Sequence, residues 1–231
     1  MKIGIFTDSH YSSQAITCGC RYNNQSLRKI EEAYSFFERS GCELVICLGD
    51  LLDTEATVEL ERENLRQVKS VVKKSPIPSV IVMGNHDAFT LTPEEFYSIL
   101  GIDAPNDIRC GGKRLIFIDC CYFKSGVHYA PGDSNWRDTY LPNADRFLAD
   151  IQGSEDEIYV FLHQNIDPAI REDHRLFNSK ELFEGIQKSG SVKAVFQGHF
   201  HGGCRSEYDG VKYITLPAMC ESEGAFFVFD I

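Results

Sequence analysis

Short apolar runs recur along the chain, and each is followed by a polar or glycine-containing turn. Runs of about four to eight apolar residues bounded in this way are typical of strands buried on both faces of a parallel sheet. We therefore predict strands over the ranges 2–7, 44–48, 79–83, 114–121, 157–162 and 192–196. Two further apolar segments, 211–216 and 225–230, are expected to close the sheets as antiparallel strands.

Segments with apolar residues at helical spacing lie between these strands. The pattern predicts a helix that begins at Ser26 and ends at Gly41, and others over 56–74, 92–100, 144–151 and 178–188, with Thr92 and Asn178 as caps. This alternation of strand, loop and helix is typical of βαβ units and predicts an α/β fold. No internal repeat or interdomain linker interrupts it, so we expect a single domain over residues 1–231.

Polar residues that end the predicted strands carry the chemistry of the chain. Asp50, directly after the strand 44–48, could by itself be a helix cap. A lone histidine at a strand end is likewise more often structural than a ligand. Here five strand ends carry carboxylate, imidazole or amide groups, namely Asp8 with His10, Asp50, Asn85 with His86, His163, and His199 with His201. In α/β sheets these ends form the ligand site, and this ligand set suits Mn, Zn or Fe better than a structural zinc.

Composition narrows the classes of function. The net charge of −11 disfavours a surface that binds nucleic acid or membranes through lysine and arginine, so an anionic substrate would need the positive charge of a metal. No apolar run approaches the ~20 residues of a membrane span. Nine cysteines without a repeated Cys-x-x-Cys pair, and no signal-peptide pattern after Met1, favour a cytoplasmic location. The pairs Cys18-x-Cys20 and Cys120-Cys121 could bind a soft metal, but local packing is the favoured interpretation. No feature specifies an oligomeric state.

The order of the polar motifs resembles that of the calcineurin-like metallophosphoesterase superfamily. The matching segments are Asp8-Ser9-His10, Gly49-Asp50-Leu51-Leu52-Asp53, Gly84-Asn85-His86-Asp87, His163 and Gly198-His199-Phe200-His201. Each segment alone is a weak signal, whereas all five in this order are a strong one. The resemblance implies a four-layer αββα sandwich, in which two mixed β-sheets are flanked by helices.

The resemblance also implies a dinuclear metal centre that hydrolyses phosphate esters or anhydrides. Two divalent ions would be held by seven residues: Asp8, His10 and His201 at the first ion, Asn85, His163 and His199 at the second, and Asp50 at both. Manganese is the first expectation, with iron, zinc, nickel and cobalt as alternatives. Two ions about 3.5–4 Å apart need an anion between them, and a metal-bridging hydroxide would serve as that anion and as the nucleophile.

Three further residues receive catalytic or supporting roles from the same resemblance. His86 would steady the phosphoryl oxygens or protonate the leaving group, and Asp53 would orient its imidazole. Asp87 would brace the loop, although an ordinary turn acid is an equally good interpretation.

The substrate is less strongly indicated than the metal centre. The segments 21–27 and 195–203 are similar to the ADP-ribose/CDP-alcohol diphosphatase branch, which implies a small nucleotide-like phosphodiester or diphosphate. The candidate substrate-binding residues are Asn85, His86 and Arg21. The alternative for Arg21 is an ordinary solvent-exposed arginine without a role in binding. In the long loop 124–142, His128, Tyr129 and Trp136 either cover the substrate or pack the loop. The roles of His174 and Arg205 are undecided between the same two alternatives.

Several other functions are alternatives to this hydrolase. A cyclic-nucleotide phosphodiesterase, a phosphomonoesterase and a protein phosphatase use the same centre, and nuclease action on long duplexes is disfavoured by the acidic charge. A catalytically silent interaction scaffold would normally lack some of the metal-ligand residues, and none of them is missing from this sequence. An aspartyl-phosphate hydrolase with Asp8 as its nucleophile would need an acidic residue at the position that His10 occupies. A nicotinamide enzyme is poorly supported, because no Gly-x-Gly-x-x-Gly motif follows Phe6.

Overall fold

The computed structural model describes residues 1–132 and 136–231, so residues 133–135 of the predicted loop lie outside it. The strands of the described residues are β1 Lys2–Phe6, β2 Leu44–Cys47, β3 Ser79–Ile81, β4 Ile108–Cys110, β5 Lys113–Ile118, β6 Glu157–Leu162, β7 Val192–Gln197, β8 Cys204–Tyr208, β9 Val211–Thr215 and β10 Phe226–Asp230. The α-helices are α1 Ser26–Arg39, α2 Val58–Lys74, α3 Asn85–Thr90, α4 Pro93–Leu100, α5 Ala144–Ile151 and α6 Ser179–Ser189.

The strands form two mixed sheets. The first has the order β10-β1-β2-β3, in which β1, β2 and β3 are parallel and β10 is antiparallel to β1. The second has the order β4-β5-β6-β7-β9-β8, with β5, β6, β7 and β9 parallel and antiparallel strands at both edges. The predicted pair of mixed sheets is therefore confirmed.

Three hydrophobic clusters show how the layers pack. One lies between the sheets, where side chains of β1 and β2 meet those of β5, β6 and β7 and the rings of Phe161 and Phe196 stack at 5.0 Å. A second cluster lies between the first sheet and helices α1, α2 and α4. The third lies between the second sheet and helices α5 and α6. The order helix, sheet, sheet, helix is the four-layer sandwich that the resemblance implies.

The structure corrects four details of the predicted elements. The segment 211–216 was predicted to be antiparallel, but β9 is parallel to β7 and antiparallel only to β8. Strand β8, an edge strand with the polar sequence Cys-Arg-Ser-Glu-Tyr, has no apolar run by which it could be predicted. The short helix α3 replaces the predicted turn after β3, and the short edge strand β4 was not predicted.

The two predicted helix caps differ in outcome. Thr92 caps α4, since its Oγ1 accepts a hydrogen bond from the backbone of Glu95 at 3.3 Å. Asn178 precedes α6 without a side-chain cap, because its amide instead exchanges hydrogen bonds with the backbone of Leu141. No helix in the described ranges is both long and apolar enough to cross a membrane.

Candidate metal centre

The loops that follow β1 and β2 are tied together in a strained conformation. Asp8, His10 and Asp50 have φ angles of 50°, 43° and 50°, a region that non-glycine residues seldom adopt. The backbone N–H of Asp8 donates to the carbonyl of Gly49 at 3.0 Å, and that of His10 donates to Asp50 at 2.9 Å. These hydrogen bonds bring three ligand-type side chains, each at most 1% exposed, to one edge of the first sheet.

Asp8, His10 and His201 form the first group of ligand-type atoms. The Nε2 atoms of His10 and His201 are 3.2 Å apart, and Asp8 Oδ1 lies 3.4 Å from His201 Nε2 and 3.8 Å from His10 Nε2. The other oxygen of Asp8 accepts hydrogen bonds from Thr7 Oγ1 and the backbone of His199. Atoms bound about 2.1 Å from one ion lie about 3 to 3.4 Å apart, so this spacing suits a shared cation.

Asp50 lies between this group and a second one. Its Oδ2 is 3.5 Å from His10 Nε2 and 3.2 Å from His163 Nε2, while its Oδ1 accepts the backbone N–H of His86. Ligand atoms of Asp50, His163 and His199 all lie within 4.8 Å of one another. The Nδ1 of His163 is 2.9 Å from the carbonyl of Leu48, to which it donates, and this leaves Nε2 as the ligand atom.

Four buried atoms at this edge have no hydrogen-bond partner. They are Asp8 Oδ1, Asn85 Oδ1, His163 Nε2 and His199 Nε2, each on a predicted ligand residue. Leaving a buried polar atom unpaired costs about 1–3 kcal/mol, and such atoms are rare in native proteins. Divalent cations would satisfy all four at once. The residues present therefore fit a pair of metal ions.

The electrostatics of the groups are consistent with cation binding. Burial lowers the pKa of His10 to about 4 and the pKa of His199 to about 3, so both imidazoles are in the neutral form that binds metals. Burial also disfavours charge on His163, but Asp50 and Asp8 outweigh it and raise the pKa of His163 to about 9. Asp50 and Asp8 thus favour positive charge at His163, and a bound cation would supply that charge in place of a proton.

His86 lies beside these groups, since its ligand-type atom and those of His10 and Asp50 are all within 4.8 Å of one another, and a carboxylate orients its ring. Its Nδ1 lies 3.0 Å from Asp53 Oδ1, and Asp53 Oδ2 accepts hydrogen bonds from Thr17 and Asn23 at 2.8 Å. Arg21 Nη1 lies 3.4 Å from His86 Nε2 and 3.6 Å from Asp53 Oδ2. Although burial opposes it, attraction by Asp50 and Asp53 raises the pKa of His86. This imidazole is therefore oriented and biased toward the protonated form.

Some residues of the site were not predicted. Glu221 Oε1 lies 2.5 Å from His201 Nδ1 and orients that ring, and Cys220 has a sulfur within 4.8 Å of the ligand atoms of His10 and His201. Both lie in an irregular segment without a motif, so only the tertiary structure could find them. Asp87 accepts hydrogen bonds from the backbone of Gly84, Leu51 and Leu52 at 2.9, 3.2 and 3.0 Å. Asp87 thus braces two loops, which favours this interpretation over that of an ordinary turn acid.

A cavity of about 280 Å³ opens beside the two groups. Its lining includes His86 together with Arg21, Trp136 and His174, so three of the six residues whose role was open face the site. The side chain of Arg21 is only 17% exposed. His128 and Tyr129 line a separate cavity of about 500 Å³ with Asp119, and Arg205 is exposed on β8. That larger cavity contains none of the predicted metal ligands.

Comparisons with known proteins agree with this geometry. The sequence model of a family described as calcineurin-like phosphoesterase matches residues 1–203. The chain is 25% identical over 202 residues to a 3′,5′-cyclic adenosine monophosphate phosphodiesterase of Haemophilus influenzae, covering 85% of this chain and 66% of that protein. It is 26% identical over 209 residues to the mouse serine/threonine-protein phosphatase CPPED1, covering 84% and 62%. The chain thus spans less than two thirds of the length of either relative.

The fold is shared with solved structures. A dimetal phosphatase from Danio rerio superposes with a TM-score of 0.77 at 15% identity, covering 96% of this chain and 88% of that one. At this identity the likeness concerns the fold alone.

Proposed function

The chain belongs to the calcineurin-like phosphoesterase family, and on that premise we propose that it is a metal-dependent phosphoester hydrolase. The observation that carries the proposal is the position of Asp50 Oδ2, which lies 3.5 Å from His10 Nε2 and 3.2 Å from His163 Nε2. A carboxylate oxygen shared by two imidazole groups is suited to joining two cations.

The proposed metal ligands are Asp8, His10 and His201 for one ion, Asn85, His163 and His199 for the other, and Asp50 for both. When bound, the two ions would withdraw charge from the phosphoryl oxygens and promote ionisation of the attacking water. Manganese is our first choice, because a ligand set of carboxylate, amide and imidazole suits it, and iron, zinc, nickel and cobalt suit the same set.

Among the side chains of the protein, we assign the transfer of a proton to the leaving group to His86. His86 lines the cavity with Nδ1 donating to Asp53, which leaves Nε2 to carry the second proton of the imidazolium. Hydrolysis forms one P–O bond to water and breaks one P–O bond to the leaving group. The leaving oxygen takes its proton from His86 Nε2, and the water's proton returns through solvent to His86. Asp53 positions the imidazole, and Arg21 contributes positive charge beside the phosphoryl group.

We propose a small nucleotide-like phosphodiester or diphosphate as the substrate, residues 1–231 as one domain, and the cytoplasm as the location. The nine cysteines are all free thiols, which suits a reducing compartment. A cyclic-nucleotide phosphodiesterase is the second candidate, favoured by the similarity to the Haemophilus influenzae enzyme.

The test is a screen of the purified protein, with Mn²⁺ and the other four metals added in turn. We expect hydrolysis of bis-p-nitrophenyl phosphate that ceases on chelation and returns with metal. Nucleotides, dinucleotides, cyclic nucleotides and sugar-linked diphosphates are then compared by their products. Inactivity with every metal and every ester would contradict the proposal and favour a silent scaffold.

A further inference from the structure

Trp136 lies between two cavities that meet at the candidate active site. The larger, of about 280 Å³, and a smaller one of about 190 Å³ share three lining residues, which are Asn85, His86 and Trp136. Two of these, Asn85 and His86, belong to the reacting centre. The third, Trp136, lines both cavities and so lies at the boundary between two lobes of the site.

The smaller lobe has an aromatic lining. Apart from the shared residues, it is lined by Phe89 and Thr54. The backbone carbonyl of Phe89 accepts a hydrogen bond from Gly132 at 2.7 Å, and the backbone N–H of Thr54 donates to Asp53 at 2.9 Å. Both residues are thus fixed to the frame around His86. Two aromatic rings, with His86 as the only charged group among the described lining residues, favour a flat, weakly polar substituent.

The larger lobe has a different chemistry. It is lined by Arg21 and Arg171, whose guanidinium groups lie 3.6 Å from Asp53 and 2.5 Å from Asp173, and by His174 and Phe200. The rings of His174 and Phe200 are perpendicular with centroids 5.3 Å apart, and His174 also contacts Trp136 at 5.1 Å. Arginine suits phosphate and hydroxyl oxygens, while the aromatic rings suit a sugar or base. This lobe is therefore fitted to a polar or anionic substituent.

We propose that the site is a two-arm subsite, in which a phosphodiester or diphosphate places one polar arm in the larger lobe and one flat arm in the Phe89–Trp136 lobe. This inference rests on the proposed function and specifies its substrate class. A monoester has only one arm and would leave one lobe empty. The two ester bonds of a cyclic nucleotide go to a single ribose, so it cannot occupy lobes on opposite sides of Trp136.

The inference predicts an order among substrates for the Mn²⁺-supplemented protein. We expect p-nitrophenyl thymidine 5′-phosphate, which has one nucleoside and one aryl arm, to exceed p-nitrophenyl phosphate and cyclic AMP in kcat/KM by about tenfold or more, the usual weight of a stacked ring. If the monoester or cyclic AMP is hydrolysed as well as the diester, the two-arm subsite is refuted while the phosphoesterase survives.

Variants of the smaller lobe give a second, independent test. Phe89→Ala and Trp136→Ala should each lower kcat/KM for the diester by about five- to fiftyfold with metal content unchanged, whereas Phe89→Ala should affect the monoester thymidine 5′-phosphate, whose one arm belongs to the larger lobe, less than about threefold. Trp136→Phe should restore most of the lost activity, because it returns an aromatic ring to the boundary between the lobes. Phe177→Ala, which removes a 58% exposed ring that lines neither lobe, is the control. Equal losses for diester and monoester would overturn the proposal.

Discussion

At the scale of single residues, three imidazole groups of the site each have a neighbour that orients them. Glu221 orients His201, the Leu48 carbonyl orients His163, and Asp53 orients His86. Asp50 differs from these, because one of its oxygens faces both imidazole groups and the other is used by the backbone. Its loss should affect both proposed ions, whereas loss of His86 should affect turnover alone.

Asp50→Ala should lose bound metal and activity together, because the variant removes the only carboxylate oxygen within about 3.5 Å of both His10 and His163 among the described contacts. Metal content is measured by plasma mass spectrometry after dialysis against Mn²⁺. Asp119→Ala, an acidic residue of the separate cavity, is the control. A variant that retained two ions per chain would show that Asp50 does not bridge them.

His86→Ala should retain metal but lose roughly 10²–10⁴ in kcat, the usual contribution of a general acid. The loss should be smaller for esters whose leaving groups are strongly acidic, because their departing oxygen needs no proton. Steady-state rates with p-nitrophenyl and alkyl esters measure this difference. Unchanged turnover would remove His86 from the mechanism.

At the scale of elements, the site depends on how closely loops from neighbouring strands approach. A Cβ added at Gly84 would lie 2.2 Å from the backbone nitrogen of Asp50 and 2.3 Å from its Oδ1. The loop after β3 can therefore pass the loop after β2 only with glycine at this position. Asp87 then fastens the two loops through three backbone hydrogen bonds.

Gly84→Ala should displace the Asp50 carboxylate and weaken metal binding. Gly4→Ala is a matched comparison, since its Cβ would lie 2.4 Å from the Phe37 ring between β1 and α1, away from the site. Overpacking costs about 1–3 kcal/mol, so we expect Gly4→Ala to lower Tm but to bind metal normally at 20 °C. Metal titration by calorimetry separates the two, and normal binding by Gly84→Ala would contradict the argument.

The segment that carries His128 should respond to pH. Its ring nitrogens lie 2.8 Å from the Tyr129 carbonyl and 3.0 Å from Asp119 Oδ2, and both hydrogen bonds need the protonated ring. Burial opposes the charge, but Asp119 raises the pKa of His128 above its ordinary value. This stabilisation is fully present below about pH 6.5 and is lost as the pH rises through the folded-state pKa.

The Tm difference between the wild type and His128→Gln should therefore be larger at pH 6 than at pH 8.5. Thermal unfolding followed by circular dichroism measures it. Asp119→Asn should narrow the difference at pH 6, and a difference independent of pH would exclude a role for the imidazolium.

At the scale of the whole molecule, the centre joins the two sheets. Asp8, Asp50 and Asn85 follow strands of the first sheet, whereas His163 and His199 follow strands of the second. Ions held by both sets would connect the two halves of the sandwich. Because the unfolded chain cannot present these ligands together, binding of metal should favour the folded state.

Saturating Mn²⁺ should raise the Tm of the metal-free protein. At about 100 times Kd the gain is about 2.7 kcal/mol, which for a chain of this size corresponds to about 5–10 °C. Differential scanning calorimetry with Mn²⁺ and with Mg²⁺ at equal ionic strength measures the shift. Asp50→Ala should show little of it, and a wild-type protein without a shift would contradict ligation across the sheets.

Much of this protein follows from local pattern in the sequence. Apolar runs set most strands, helical spacing and capping residues together set five of the six described α-helices, and polar residues at strand ends supplied every predicted ligand. These features can be predicted locally, because the spacing of apolar residues within one segment determines which face of a strand or helix is buried. The assignment of ligands to two ions came from family resemblance and stays a prediction.

Only the tertiary structure decided the remaining features, because they depend on contacts between residues far apart in the chain. Strand β8 is held by its partner β9 rather than by an apolar run, and the direction of β9 is set by its neighbour β7. Glu221 and Trp136 approach the site through irregular segments that have no periodicity. Which side chains share a cavity is likewise a property of packing, and so the division of the site by Trp136 could not be read from the sequence.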